Sequence, residues 1–179
     1  MKKIYIIRHC KAEGQEKSAN LTVEGYEQAL KLRDYFENIT IDKIISSHFE
    51  RAVQTIKPLS EFKKIPILKD SRLSERILSS EDYPDWLDKL KMTFQDKDLT
   101  FVGGESSNEA LIRIKNVLEE VLTSPDENII LVTHGAIMSL LLNSFDERFG
   151  FEQWASLSNP DIYMADIHEE ALKFKRLLH

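Results

Sequence analysis

The sequence predicts an α/β fold, with helices packed on a largely parallel sheet. Short apolar runs rich in Ile, Leu and Val alternate along the chain with stretches of helical periodicity. That is the pattern of strands joined by crossover helices. Two of the runs, residues 4–7 and 129–132, are continuously apolar, as strands covered on both faces are. Residues 162–167 and 171–177 close the chain as two strands joined too tightly to run parallel, so this last pair is antiparallel.

The first strand runs directly into Arg8 and His9, and a polar loop over 11–20 follows. Thr22 reads as the N-cap of a helix with Tyr26, Ala29, Leu30 and Phe36 inward. Ile44 and Ile45 make a second short strand. Ser46 and Ser47 then cap a helix that begins near Phe49 and buries Ala52, Val53 and Ile56. Pro58 lacks a backbone donor and should kink or end that helix. Residues 65–68 form a third strand, placed near an edge by Pro66. The stretch 69–104 is the least regular, with Trp86, Phe94 and Phe101 among many charges. It reads as a small insertion over the ligand edge of the sheet, with a helix from about 81 to 94. Ser106 and Glu109 form a capping box. The helix behind them carries Ala110, Ile114, Val117, Leu118 and Val121 on one face. The strand from 128 leads into Thr133, His134 and Gly135, and then into a helix to about Ser144, apolar enough to be deeply buried. Glu169 and Glu170 supply the final turn.

A chain of 179 residues is long enough for one domain with a substantial core. No repeat, linker or low-complexity tract divides it, so residues 1–179 read as a single domain. The formal net charge of -6 argues against general affinity for nucleic acid. It leaves room for a small cationic pocket. No apolar stretch is long enough to cross a bilayer. One cysteine, Cys10, allows no internal disulfide, which fits a reducing, cytoplasmic setting.

Two strands thus deliver a histidine each, His9 and His134, at their carboxyl ends. In open α/β sheets that edge is where ligands bind. Arg8 beside His9, and Arg51 in the first turn of its helix, add guanidinium forks of the kind that match phosphate geometry. A cation in a first turn opposes the helix dipole, and a bound anion would resolve the conflict.

In order, Arg8-His9, Ser46-Ser47 with Arg51-Ala52, Leu73-Ser74-Glu75-Arg76, Gly103-Gly104-Glu105-Ser106 and Thr133-His134-Gly135 resemble the histidine phosphatase superfamily. That group includes the cofactor-dependent phosphoglycerate mutases. The resemblance runs from residue 4 to about 142. It implies a three-layer α/β/α sandwich and a phosphatase that hydrolyses small phosphomonoesters through a phosphohistidine. No metal and no other cofactor is implied, and the sequence lacks the HxH or HxxxD spacing of metallohydrolases.

His9 is the candidate nucleophile, since a neutral imidazole can attack phosphorus and split a hard transfer into two steps. Arg8 and Arg51 are the candidate phosphate clamps. His134, when protonated, adds a third cation, and the amides at the start of its helix, with Gly135, suit a phosphate oxygen. Glu75 is the candidate acid and base, with Glu81, Asp82 and Asp85 as rivals. Two positions depart from the family pattern. Cys10 stands where the family usually has Gly, and Gln15 stands where it usually has Asn; a glutamine keeps an amide able to hold phosphate. His48, His168 and His179 read as surface residues. Two other readings stay open: a phosphoglycerate mutase-type phosphotransferase, and a non-catalytic phospho-ligand binder on the same fold. The physiological substrate and the oligomeric state are not legible at this stage.

Overall fold

The computed structural model describes residues 2–168 and 171–178. Six strands form one sheet: β1 (Lys3–Arg8), β2 (Lys43–Ser46), β3 (Ile67–Lys69), β4 (Asn128–Thr133), β5 (Asp161–His168) and β6 (Ala171–Leu178). Their order across the sheet is β3-β2-β4-β1-β5-β6. The β3-β2, β2-β4 and β4-β1 pairs are parallel, whereas β5 runs antiparallel to β1 and β6 antiparallel to β5. The fold is thus the expected α/β sandwich, and β3, which follows Pro66, lies at the edge. The turn expected at Glu169 and Glu170 lies outside the described residues.

Side-chain alternation along the central strands builds two cores. Ile4, Ile6, Ile129 and Leu131 face helices α4 (Ser107–Thr123) and α5 (Gly135–Asn143). Tyr5, Ile7, Ile130 and Val132 face α1 (Val23–Tyr35) and α2 (Glu50–Lys63). Helices therefore cover both faces of the sheet. The continuous apolar runs of β1 and β4 are the sequence image of that double burial.

Two of the three expected caps hold; α2 instead has Phe49 at its N-cap with no side-chain cap bond, and Ser47 Oγ accepts the Phe49 amide just before the helix. Thr22 accepts the Gly25 amide, and both bonds of the Ser106–Glu109 capping box are present. Such a cap is worth about 1 kcal/mol. Three other expectations need correction. The buried face of α1 is Gly25, Ala29, Leu32 and Phe36; Tyr26 is exposed and Leu30 only partly buried. A shift of register around the helix explains this, because the apolar residues of α1 fit more than one stripe. Pro58 does not end α2, which continues to Lys63. A proline forfeits one helical bond, and the burial of Leu59 after Thr55 and Ile56 holds the helix on its course. Helix α3 (Trp86–Gln95) starts later than expected, after the Tyr83-Pro84 turn region. Two short elements were not anticipated: a 3-10 turn over Ser71–Leu73 and α6 (Phe151–Ala155).

Candidate active site

Parallel pairing of β1 with β4 sets Arg8 opposite Thr133. The residues one step further on, His9 and His134, therefore leave the sheet side by side. Their ring centroids are 5.1 Å apart. The neighbouring strand β2 ends at Ser46, and the chain then turns through Ser47 into α2, whose first turn brings Arg51 to the same edge.

His9 is 7% exposed. Its Nδ1 lies 2.7 Å from the Cys10 carbonyl, and Arg51 Nε donates to its Nε2 at 3.2 Å. A carbonyl only accepts and a guanidinium only donates. Nδ1 therefore carries the proton and Nε2 holds a lone pair. Burial pushes the His9 pKa down to about 3; the Cys10 bond opposes this, while Arg51 and Arg8 add to it. The ring is neutral at ordinary pH, with its basic nitrogen toward Arg51.

Arg51 is 1% exposed, and burial lowers its pKa. Its Nη1 donates to the carbonyls of Gln15 and Glu16 at 3.0 and 2.8 Å. The guanidinium also lies over the Phe49 ring, 5.0 Å from its centroid. Arg8 Nη1 donates to the carbonyls of Leu157 and Ser158 at 2.9 and 3.3 Å, while its Nε is buried with no partner. Gly135 explains how Arg8 fits. A Cβ there would stand 3.0 Å from Arg8 Nε and 3.1 Å from its Cζ.

His134 is fully buried. Its Nε2 lies 2.8 Å from Ser47 Oγ, and its Nδ1 has no partner. Burial holds its pKa well below the ordinary value, and the electrostatic influence of neighbouring His9, Arg51, Arg113 and Arg8 lowers it further. The expectation of a third standing cation is therefore corrected. Without a ligand this ring is neutral, because burial among cations penalises its charged form.

Glu75 occupies the helix start that was expected to face phosphate. Ala136 N donates to its Oε2 at 3.1 Å, and Ile137 N donates to its Oε1 at 3.0 Å. Arg76 N also donates to Oε1, at 2.8 Å. The positive end of α5 favours this carboxylate as it would a phosphate. With three amides spread over two oxygens, Oε2 keeps a lone pair free of these bonds. Arg113 braces the segment through the carbonyls of Ser74 and Glu75, at 2.7 and 3.2 Å. The rival acids stand apart: Glu81, Asp82 and Asp85 are exposed, Glu81 accepts from Tyr83, and Asp85 pairs with Lys89.

A cavity of about 580 Å³ lies beside this cluster and reaches its Arg8 and Glu75. Its lining combines the polar Arg8, Gln15, Glu75 and Arg76 with the apolar Leu78, Trp86, Leu90, Ala136 and Trp154. Gln15 is exposed and also gives its carbonyl to Arg51. Cys10 is absorbed into the core under α1 and α2, and burial pushes its thiol up to about 12. Its backbone amide donates to Thr55 Oγ1 at 2.8 Å. Among the described residues, no group of three or more His, Cys, Asp or Glu side chains is arranged to hold a metal ion. His48 is exposed and 3.2 Å from Ser74 Oγ; the side chains of His168 and His179 lie outside the described residues.

Sequence reasoning missed four supporting residues. Ser47 was read only as a cap, yet it touches His134. Asn159 Nδ2 donates to the His9 carbonyl at 2.8 Å, from a loop 150 positions away that carries no local signal. Thr55 and Arg113 look like ordinary helix residues in the sequence.

Known proteins share this arrangement of elements. The chain is 27% identical to a Hydrogenobacter thermophilus protein named "Putative phosphoserine phosphatase 2", over 97% of this chain and 92% of that one. It is also 27% identical to "Probable phosphoglycerate mutase GpmB" of Salmonella choleraesuis, over 94% of this chain and 86% of the relative. Among solved structures, a mycobacterial glucosyl-3-phosphoglycerate phosphatase with inorganic phosphate superposes with a TM-score of 0.78. It is 20% identical, over 99% of this chain and 96% of that one, a likeness that speaks to the fold. The model of the histidine phosphatase superfamily (branch 1) matches residues 4–178. With two histidines and two arginines gathered at one sheet edge and that match running nearly end to end, the chain belongs to the histidine phosphatase superfamily.

Proposed function

We propose that this histidine phosphatase hydrolyses a small phosphomonoester in two steps, with His9 as nucleophile and Glu75 as acid and base. The observation that carries the reading is the state of His9: neutral, with Nδ1–H tied to the Cys10 carbonyl and the lone pair on Nε2. That is the form a nucleophilic imidazole needs. In the first step Nε2 attacks phosphorus and the bond from phosphorus to the ester oxygen breaks. Glu75, in its acid form, gives the departing oxygen its proton. In the second step water attacks the phosphohistidine, Glu75 takes the water's proton, and the P–N pair returns to Nε2.

Arg8 and Arg51 hold the equatorial oxygens, where charge is spread in the transition state. Arg8 Nε, buried and unpartnered, is a donor ready for one of them. When Ser47 O–H donates to His134 Nε2, the proton of that ring sits on its unpartnered Nδ1, a further donor. Gln15 reaches the phosphate from the loop, and Gly135 serves by admitting Arg8 rather than by offering an amide. Residues 69–104 act as an insertion over the site within one domain, a reading supported by Arg76, Leu78, Trp86 and Leu90 on the cavity wall. We place the enzyme in the cytoplasm, apart from nucleic acid, on its single buried cysteine and its net charge of -6. Among the described residues no helix is long and apolar enough to cross a membrane.

The test is hydrolysis of p-nitrophenyl phosphate with and without EDTA. Chelator-resistant turnover that disappears in His9→Ala is expected. Loss of turnover on chelation, or turnover unchanged in the alanine variant, would reject the reading.

A further inference from the structure

Beside its charged residues the cavity carries an apolar wall of Leu78, Trp86, Leu90 and Trp154. Two helices and the irregular segment before α3 build it. Trp86 opens α3 and Trp154 lies in α6. The two indoles meet edge to face, with centroids 6.5 Å apart and an 85° angle between planes. Trp154 is backed by Phe151 at 5.3 Å, and Phe151 by Phe94 at 6.1 Å. Trp86 is nevertheless 49% exposed. A large aromatic that is held in place and left half open has apolar surface to offer a ligand.

Most of the cations around this wall already have partners. Arg76 lines the cavity but is buried; its Nη groups are spent on Thr93 Oγ1, Ser107 Oγ and the Glu105 carbonyl, and its Nε is enclosed without a partner. Lys89 pairs with Asp85 and lies over the rings of Tyr83 and Phe101. Lys91 lies over Phe151. Lys17 and His48 border a different depression, on another side of Glu75. A second anionic group at the wall would lose its hydration against the side chains of Leu78, Trp86, Leu90 and Trp154, which is costly.

We propose that the alcohol part of the substrate is apolar and uncharged, an aromatic or extended hydrocarbon group that packs against the surface Trp86 and Trp154 form together. This rests on the phosphatase reading above and narrows it. Each methylene of such a group is worth roughly 10-fold or more in a fitting apolar pocket. Substrates with a carboxylate or several hydroxyls on the alcohol side gain nothing there.

The test compares three phosphates of primary or secondary alcohols, so that leaving-group reactivity does not decide the result: 3-phenylpropyl phosphate, glycerol 3-phosphate and 3-phosphoglycerate. In the wild type, kcat/KM should be at least ~10-fold higher for the phenylpropyl ester than for glycerol 3-phosphate, and lowest for 3-phosphoglycerate. The ratio of the first two should fall toward one in Trp86→Ala and in Trp154→Ala, and recover in Trp86→Leu. The wild-type comparison stands even where a variant folds poorly. Turnover of all three esters without preference, or a preference for glycerol 3-phosphate or 3-phosphoglycerate, overturns the inference and leaves hydrolysis intact. A ratio unmoved by both tryptophan variants also overturns it. Absence of turnover with every ester, and of any phosphoenzyme, removes the phosphatase reading and this inference with it.

Discussion

Arg51 Nε donates to His9 Nε2 across 3.2 Å, so the buried guanidinium covers the one lone pair on the candidate nucleophile. The same side chain is tied to the carbonyls of Gln15 and Glu16. Lysine keeps the charge but cannot make these bonds as a planar fork. Arg51→Lys should lower kcat/KM by at least ~10-fold, about 1.4 kcal/mol. Steady-state kinetics check this, and wild-type values would place Arg51 outside the reaction.

Gly135→Ala should act through Arg8. The new Cβ would stand 3.0 Å from Arg8 Nε, and Arg8 is anchored on Leu157 and Ser158. The guanidinium must move, so the variant should fold but lose at least ~10-fold in kcat/KM. Adding Gly135→Ala to Arg8→Lys should cost little more, since both changes act on one group. Full additivity of the two losses would rule out this coupling.

The pH dependence follows from His9. Its pKa is pushed down to about 3 by burial, so the folded ring stays neutral as pH falls through the ordinary value near 6.5. The unfolded state binds the proton first, so this group withdraws stability as pH falls from about 6.5 toward 3. In nitrogen-15 NMR the His9 signals should remain those of a neutral Nδ1–H ring at pH 5. A titration of that ring near 6.5 would contradict the burial argument.

Glu75→Gln should damage an alkyl phosphate far more than p-nitrophenyl phosphate. An alkoxide needs a proton to leave, whereas p-nitrophenolate needs it much less. General acid catalysis contributes roughly 10²–10⁴-fold, so the gap should be plain in kcat/KM. The glutamine amide would also face an amide of α5, costing some stability, but a ratio between two substrates is insensitive to the fraction folded. Equal losses on both would leave Glu75 a positioning role.

The frame of the site was legible in the sequence because it sits where secondary structure changes. The runs before Arg8 and Thr133 are continuously apolar, and their ends are marked by the first charged or polar residues. The capping box at Ser106 and Glu109 was equally plain, because its logic is local. What was not legible is tertiary. Glu75 lies 61 positions from the Ala136 amide it accepts, so the helix start appeared free for phosphate. His134 looked like a cation because its burial cannot be read from the Thr-His-Gly context alone. Asn159 reaches His9 only because β5 returns beside β1. Helix α6 has five residues, too few for a periodicity to show, and so the partner of Trp86 went unseen.

The most direct test is where the phosphoryl group goes. Wild-type enzyme is mixed with substrate, quenched within milliseconds in alkali, digested and read by mass spectrometry. The account predicts an acid-labile phosphate on His9, absent in His9→Ala. Cys10 is the nearest other nucleophile in sequence, but its thiol is buried and pushed up to about 12, so it should stay unmodified. Phosphate on Cys10, or turnover with no phosphorylated residue, would contradict the account.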